Sequence, residues 1–343
     1  MTKKLLKIIL LSLGICSLYI VPWPLLKTWI MPLGQTVDAE LKNAVSKNFD
    51  AAIVCVVNQN EEVKTYAQGI QSRETKESVN PNTLFKIASC SKLYTALAIT
   101  KMANDSLIDL NHTLSYYFPE LKNRLKNSGK ITIKMLVQHR SGLPDFTRIN
   151  NYWEHPKDNN KERLEIVLDL DVHFAPGTDY EYSNTNYLLL AEIIKKVTGN
   201  EKFKYINENI LNPLKLYNTY GSIKDVNPDR VISGYYEGYE FDLKLNDNGL
   251  MLATAEDLAK FILYLNNGKA FSSKNEEELY HSLYESNHTG LIPGYQSIAR
   301  YHSDLNAAVV LFTNNTNLLG YHWNLHQIYY NRIIKVLKET SEI

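Results

Sequence analysis

Cysteine is scarce in this chain, with three among 343 residues: Cys16, Cys55 and Cys90. So few thiols exclude a disulfide-framed scaffold. An excess of charge of either sign is also missing, because 37 lysines and arginines balance 37 aspartates and glutamates. No overall field draws in a polyanion, which argues against nucleic acid as a partner, and blocks such as KDNNKER read as solvated surface. Three familiar catalytic signatures are absent: the G-x-S-x-G elbow of α/β-hydrolases, the H-E-x-x-H of zinc proteases and the G-x-x-x-x-G-K-[ST] phosphate loop. The 9 histidines are scattered without metal-ligand spacing, so neither a metal site nor a cofactor is expected. His139, His173, His322 and His326 read as structural, His139 closing a helix before the turn at Gly142 and Pro144. No Gly-, Ser- or Pro-rich linker divides the chain after Val37, and no internal repeat is visible. One intertwined, two-lobed unit is the simplest organisation.

Long apolar runs are confined to the N-terminus. Lys3, Lys4 and Lys7 precede an uncharged stretch from Ile8 to Leu26 that ends in Pro22, Trp23 and Pro24. Residues 1–32 therefore read as a signal peptide or N-terminal membrane anchor with its basic end in the cytoplasm. The absence of an A-x-A-like cleavage site, and the fit of Trp23 and Trp29 to a membrane interface, lean towards an uncleaved anchor of marginal length. Cys16 invites a lipoprotein reading that the preceding Ile15 argues against. Either version exports the rest of the chain, to a periplasmic or other extracytoplasmic location with its N-terminus associated with the membrane.

Three short motifs carry the chemistry. Ser89, Cys90, Ser91 and Lys92 form an S-x-x-K tetrad in the run LFKIASCSKLYTALAITKMA. Residues three apart share a helix face, so the Ser89 hydroxyl can lie beside the Lys92 amine, and a serine alkoxide needs such a base. Tyr182, Ser183 and Asn184 stand in FAPGTDYEYSNTNYLLLAEII, where Pro176 and Gly177 signal a turn and the apolar run a helix start. His288, Thr289 and Gly290 follow in ESNHTGLIPGYQS, just before two strand-like runs, SIARYH and NAAVVLFTN. An exposed strand edge there would offer backbone amides to an extended substrate, and Gly290 would let it approach closely. Taken singly, each motif is more often an ordinary helix surface, capping turn or loop.

In this order the three motifs resemble the serine β-lactamase and penicillin-binding-protein superfamily, whose other branches carry S-x-x-K, S-D-N and K-T-G. The Y-S-N and H-T-G versions are similar to those of the class C β-lactamase and DD-carboxypeptidase branch. Further stretches look like that branch and lie in its order: ITIKMLVQHRSGLPDF, FAPGTDYEYSNTNY, NPLKLYNT and NGLMLATAEDLAKF. The likeness runs from about Val37 to the C-terminal helix. It implies an α+β, β-lactamase/transpeptidase-like fold: an antiparallel sheet flanked by helices, a mostly helical lobe, and an active site at the lobe junction. On that pattern residues 33–343 form the hydrolase domain, with a sheet lobe of about 37–85 and 280–343 and a helical lobe of about 86–279.

The residue types fit acyl transfer. Ser89 would attack a carbonyl; Lys92 and Tyr182 would share the work of taking its proton and returning it to the leaving group; Asn184 would orient Lys92 and the substrate amide. The resemblance implies that the backbone N–H groups of Ser89 and Leu291 hold the oxyanion. His288, Thr289, Gly290 and Leu291, with Asn184, make up the expected substrate-binding set. Histidine at 288 replaces a permanent cation, so recognition of a substrate carboxylate should weaken as pH rises through its pKa, ordinarily about 6.5. Peptidase-like or esterase-like hydrolysis of a small molecule or peptide ranks above efficient β-lactam destruction. The other reading is a sensor that captures a cell-wall peptide or β-lactam without turnover. Cys55, in the strand-like AAIVCVVN, and Cys90, next to the nucleophile, are expected as buried free thiols.

Overall fold

The computed structural model describes residues 21–340 except 47, 150, 158, 240, 248, 318 and 319. Most of the expected signal or anchor segment, residues 1–20, lies outside the described residues. No helix among the described residues is long and apolar enough to cross a membrane.

A five-stranded antiparallel sheet is assembled from the two ends of the chain. Strands β1 (Ala51–Asn58) and β2 (Val63–Gly69) form the early hairpin; a short β3 (Phe85–Lys86), β4 (Thr219–Tyr220) and β5 (Leu252–Ala253) make a separate small sheet. Strands β6 (His288–Ile292), β7 (Tyr295–His302) and β8 (Ala307–Asn314) complete the large sheet in the order β2-β1-β8-β7-β6. The early and late hairpins meet through β1 and β8, with Val54 opposite Leu311. The run AAIVCVVN is apolar without alternation because helices cover both its faces. Ile53, Cys55 and Val57 enter the main core, whereas Ala52, Val54 and Val56 pack against Val37, Leu41, Tyr330 and Ile333.

Those outer residues belong to α2 (Val37–Val45) and to the C-terminal helix Tyr321–Thr340; a shorter α1 (Trp23–Ile30) precedes them. A buried ion pair joins the ends of the chain. Arg332 donates from Nε to Glu40 Oε2 at 2.7 Å and from Nη2 to Glu40 Oε1 at 2.8 Å. It also reaches the carbonyls of Met31 and Pro32 at 2.9 and 2.6 Å. On the other side of α1, Trp23, Trp29 and Ile30 are 51%, 68% and 64% exposed.

The inner face of the sheet carries the helix Ala255–Asn267, and beyond it lies α3 (Ser91–Asn104). Eleven of its 14 residues are buried, Lys92 among them, so α3 is an interior helix with no solvent face along most of its length. Cys55 and Cys90 are buried free thiols, as their sequence context implied. Burial pushes both up to about 12, which makes them inert.

Candidate active site

Strand β3 delivers the chain to Ser89 through a conformation that alanine rarely adopts. Ala88 has φ of 50°, a left-handed backbone costing about 1–2 kcal/mol for a residue with a Cβ. Neighbouring bonds hold it: Ile87 N–H donates to Met251 O and Cys90 N–H to Ile87 O, both at 3.1 Å. A single 3₁₀ turn, Ala88–Cys90, then runs into α3. Ser89 is therefore at the mouth of a buried helix, partly exposed, where the helix dipole favours negative charge.

Lys92 lies beneath it. Its amine donates to Ser89 Oγ at 3.2 Å and to Asn184 Oδ1 at 2.7 Å. Burial pulls the Lys92 amine down to about 8, while the negative charge of Asp145 opposes the shift. Tyr182 donates its hydroxyl proton to Ser89 Oγ at 2.8 Å. Burial drives this phenol well above its ordinary range, against the effect of the Ser89 hydrogen bond. Near neutral pH the amine is thus the group that can lose a proton, and the phenol is a proton donor.

Asn184 begins the helix Asn184–Thr198, and its amide is oriented from both ends. With Oδ1 on Lys92, Nδ2 donates to Asp145 Oδ2 at 3.0 Å and Thr147 Oγ1 at 3.1 Å. Asp145, only 5% exposed, supplies the buried negative charge that answers Lys92. His139 does more than end a helix. Its ring stacks on Tyr182 with centroids 4.4 Å apart, and Nδ1 accepts from Ser183 N–H and Asn186 Nδ2, each at 3.2 Å. Burial and the Lys92 charge hold His139 down to about 3, so it is a neutral plate that sets the phenol's position.

The H-T-G segment is itself the edge strand, β6. A Cβ at Gly290 would lie 2.4 Å from Ser297 Oγ, 2.6 Å from Ile87 O and 2.8 Å from the Ala88 side chain. Only glycine lets β6 lie this close to the Ser89 turn. Thr289 precedes that contact, and Leu291 follows it, opposite Gln296 on β7. His288 is tied to its own surroundings: Nε2 is 2.9 Å from Tyr284 OH, and Nδ1 accepts from Thr289 N–H at 2.9 Å.

His288 corrects the pH expectation drawn from the sequence. Burial, reinforced by the Lys92 charge, lowers it to about 4, so it stays neutral through the range in which an exposed histidine titrates. The profile should instead follow Lys92, whose neutral fraction falls about tenfold per pH unit below about 8. Acylation by a neutral ester is expected to climb to a plateau above that pH. The ratio of kcat/KM for anionic to neutral esters should stay level between about pH 5 and 8, because His288 contributes no charge there. A ratio falling in that interval would restore a titrating His288.

Two openings lie along β6, one towards each end of the strand. One, of about 290 Å³, is lined by Tyr180, Tyr182, Tyr284, His288, Thr289 and Arg300 among others. The second, of about 250 Å³, includes Thr147, Trp153, Phe241 and Pro293. Strand β6 runs from His288 in the first to Ile292, next to Pro293 of the second, and Gly290 between them rests on the Ser89 turn. Among the described residues no group of His, Cys, Asp and Glu could hold a metal ion.

Ser89, Lys92, Tyr182 and Asn184 thus meet in one hydrogen-bonded cluster, with β6 across its mouth. The motifs alone did not single out Asp145, Thr147, His139 or Tyr284. Their only sequence signal was position, the first three within or beside HRSGLPDF, and nothing local ties residue 145 to residue 184.

Comparison with known proteins identifies the family and the fold. The family model described as Beta-lactamase matches residues 35–286. Protein flp of Staphylococcus aureus (strain NCTC 8325 / PS 47) is 28% identical over 302 residues, 84% of this chain and 57% of that protein. An N-acetylmuramyl-L-alanine amidase of Bacillus subtilis is 26% identical over 203 residues, 54% of this chain and 45% of its own length. The match with this chain therefore spans only 57% of the flp relatives' length. The fold recurs in a D-amino acid amidase from Ochrobactrum anthropi SV3, with TM-score 0.76 at 22% identity over 89% of this chain and 98% of that one. A penicillin binding protein from Bacillus halodurans shares it too, with TM-score 0.71 at 19% identity over 86% and 99%.

Proposed function

The chain belongs to the beta-lactamase family of serine hydrolases, and on that premise we propose that it cleaves amide or ester bonds through an acyl-enzyme on Ser89. The observation that carries the proposal is the Ser89–Lys92–Tyr182–Asn184 cluster, in which the nucleophile touches both a depressed amine and a phenolic donor. Ser89 Oγ bonds to the substrate carbonyl carbon as its proton passes to neutral Lys92. The carbonyl π pair moves onto oxygen, where the Ser89 and Leu291 backbone amides are the donors assigned to it; such a donor contributes about 3 kcal/mol in serine hydrolases. As the tetrahedral species collapses, the bond to the leaving group breaks, Tyr182 gives the departing atom its phenolic proton, and the Lys92 ammonium returns a proton to Tyr182, so both groups end as they began. Water then hydrolyses the ester on Ser89 by the reverse of these transfers.

The finer reading is a DD-carboxypeptidase-like or amidase-like hydrolase of small peptides, amides or esters, ahead of efficient β-lactam turnover. Arg300, which lines the same opening as His288, supports the peptidase reading as the cation for a carboxylate on the departing residue, while the neutral His288 offers none and favours amides and esters without one. We place the enzyme outside the cytoplasm, with its N-terminus at a membrane. The uncharged run of residues 8–26 and the exposed Trp23, Trp29 and Ile30 beside it support that location.

Intact-mass spectrometry of the full chain mixed with an activated phenyl ester, and separately with a penicillin, tests the acyl-enzyme. A mass increase equal to the acyl group, lost in Ser89→Ala, is expected with the ester. Ester hydrolysis that survives Ser89→Ala would remove the mechanism.

A further inference from the structure

The opening beside Thr147 is walled by aromatic rings that face a gap instead of closing on one another. Tyr152 and Trp153 stand edge to face at 5.3 Å on one wall. Tyr236, Tyr239 and Phe241 form the other, with successive centroids 5.3 Å apart. Phe241 is 56% exposed at the rim, so its face is open to a group that enters the gap. This second wall is tethered to the catalytic strand. Lys86, 3% exposed on β3, donates from Nζ to Leu243 O at 2.8 Å and Asn246 O at 2.6 Å. The same strand that delivers Ser89 thereby holds the loop that carries Phe241.

The proton donor sets the polarity of a substrate across the two openings. Tyr182 lines the opening that contains His288 and Arg300, so the leaving group that it protonates departs on that side. The acyl half then extends the other way along β6, past Gly290 towards Pro293. The geometry points to an acyl-side specificity pocket, formed by Trp153, Tyr239 and Phe241, for substrates whose acyl group carries an aromatic or bulky apolar side chain. An aryl ring entering the gap removes its own apolar surface and the exposed face of Phe241 from water, and it meets ring edges and faces in the arrangements that aromatic pairs favour. The assignment rests on the acyl-enzyme function proposed above.

Steady-state kinetics of the full chain on four esters, acetyl and phenylacetyl acyl groups each with two different leaving alcohols, tests the assignment. Phe241→Ala and Trp153→Ala should each lower kcat/KM for the phenylacetyl pair by at least about tenfold, mainly through KM, and leave the acetyl pair within about twofold. Lys86→Met, which frees the wall without removing a ring, should show the same acyl-dependent loss in weaker form. An equal loss for both acyl groups, or a loss that follows the leaving alcohol, overturns the pocket. Failure of the acyl-enzyme function looks different: hydrolysis of all four esters persists in Ser89→Ala, or none is hydrolysed by the wild type. Phenylacetate should also change the tryptophan emission of Ser89→Ala, a binding readout independent of turnover. That change should vanish when Trp153→Phe is added, which separates it from the other three tryptophans; no change at saturating acid, or a change that survives Trp153→Phe, counts against the pocket.

Discussion

Ser89→Ala should lower turnover of an activated ester by at least about a thousandfold, and Tyr182→Phe by about a hundredfold. The larger loss follows from the lack of a substitute nucleophile. Cys90 is adjacent in sequence, but its thiol is buried, pushed up to about 12, and lies 3.4 Å from Ser297 Oγ. Ser91 Oγ is engaged as the acceptor of Met251 N–H at 3.2 Å. Neither can take over the attack. Lys92→Met should be as inactive as Ser89→Ala and less stable as well, because Asp145 loses the nearby buried positive charge and keeps only the exposed Arg148, 3.8 Å away. Assays on an activated ester, paired with thermal melts, separate these outcomes. Ser89→Ala with more than about a tenth of wild-type turnover would refute the assignment.

Arg332→Met should cost about 3–5 kcal/mol of stability, the effect of leaving a buried partner charge unpaired. Glu40 is wholly buried and meets Arg332 in a two-point contact, and among the described residues no other cation is bonded to it. The same guanidinium satisfies the carbonyls of Met31 and Pro32, so its loss also unties α1 from the C-terminal helix. Urea denaturation of the two proteins at one pH measures the difference. Replacing both residues, Glu40→Gln with Arg332→Met, should recover part of the loss, since no bare charge then remains inside. A single-variant loss below about 1 kcal/mol would show that the pair is not a stability determinant.

Much of the framework was legible because it is local chemistry. The early hairpin reads as two strand-like runs, Ala51 to Asn58 and Glu62 to Gly69, and the observed Ala51–Asn58 and Val63–Gly69 differ from them by a residue at most. The last helix likewise falls at Tyr321–Thr340, against an expected span of about His322 to Lys338. H-T-G was harder. Five residues with histidine, threonine and glycine look like a turn, and only pairing with Tyr295–His302 makes them a strand. The run from Val37 to Phe49 reads as one helix by its apolar spacing, but α2 ends at Val45.

By itself the sequence determined the reactive groups, since a hydroxyl, an amine, a phenol and a carboxamide are properties of residue type and their motif spacing is local. It also determined which runs are strands buried on both faces. Tertiary structure alone decided how those groups behave. The Lys92 amine falls to about 8 because α3 is interior, and His288 falls to about 4 because it is buried, with the Lys92 charge adding to the effect. Asp145 and His139 acquire their roles only when residues about forty positions apart come within hydrogen-bond or stacking distance. Desolvation and neighbouring charge depend on what the fold packs around a group, and no single stretch of sequence contains that information.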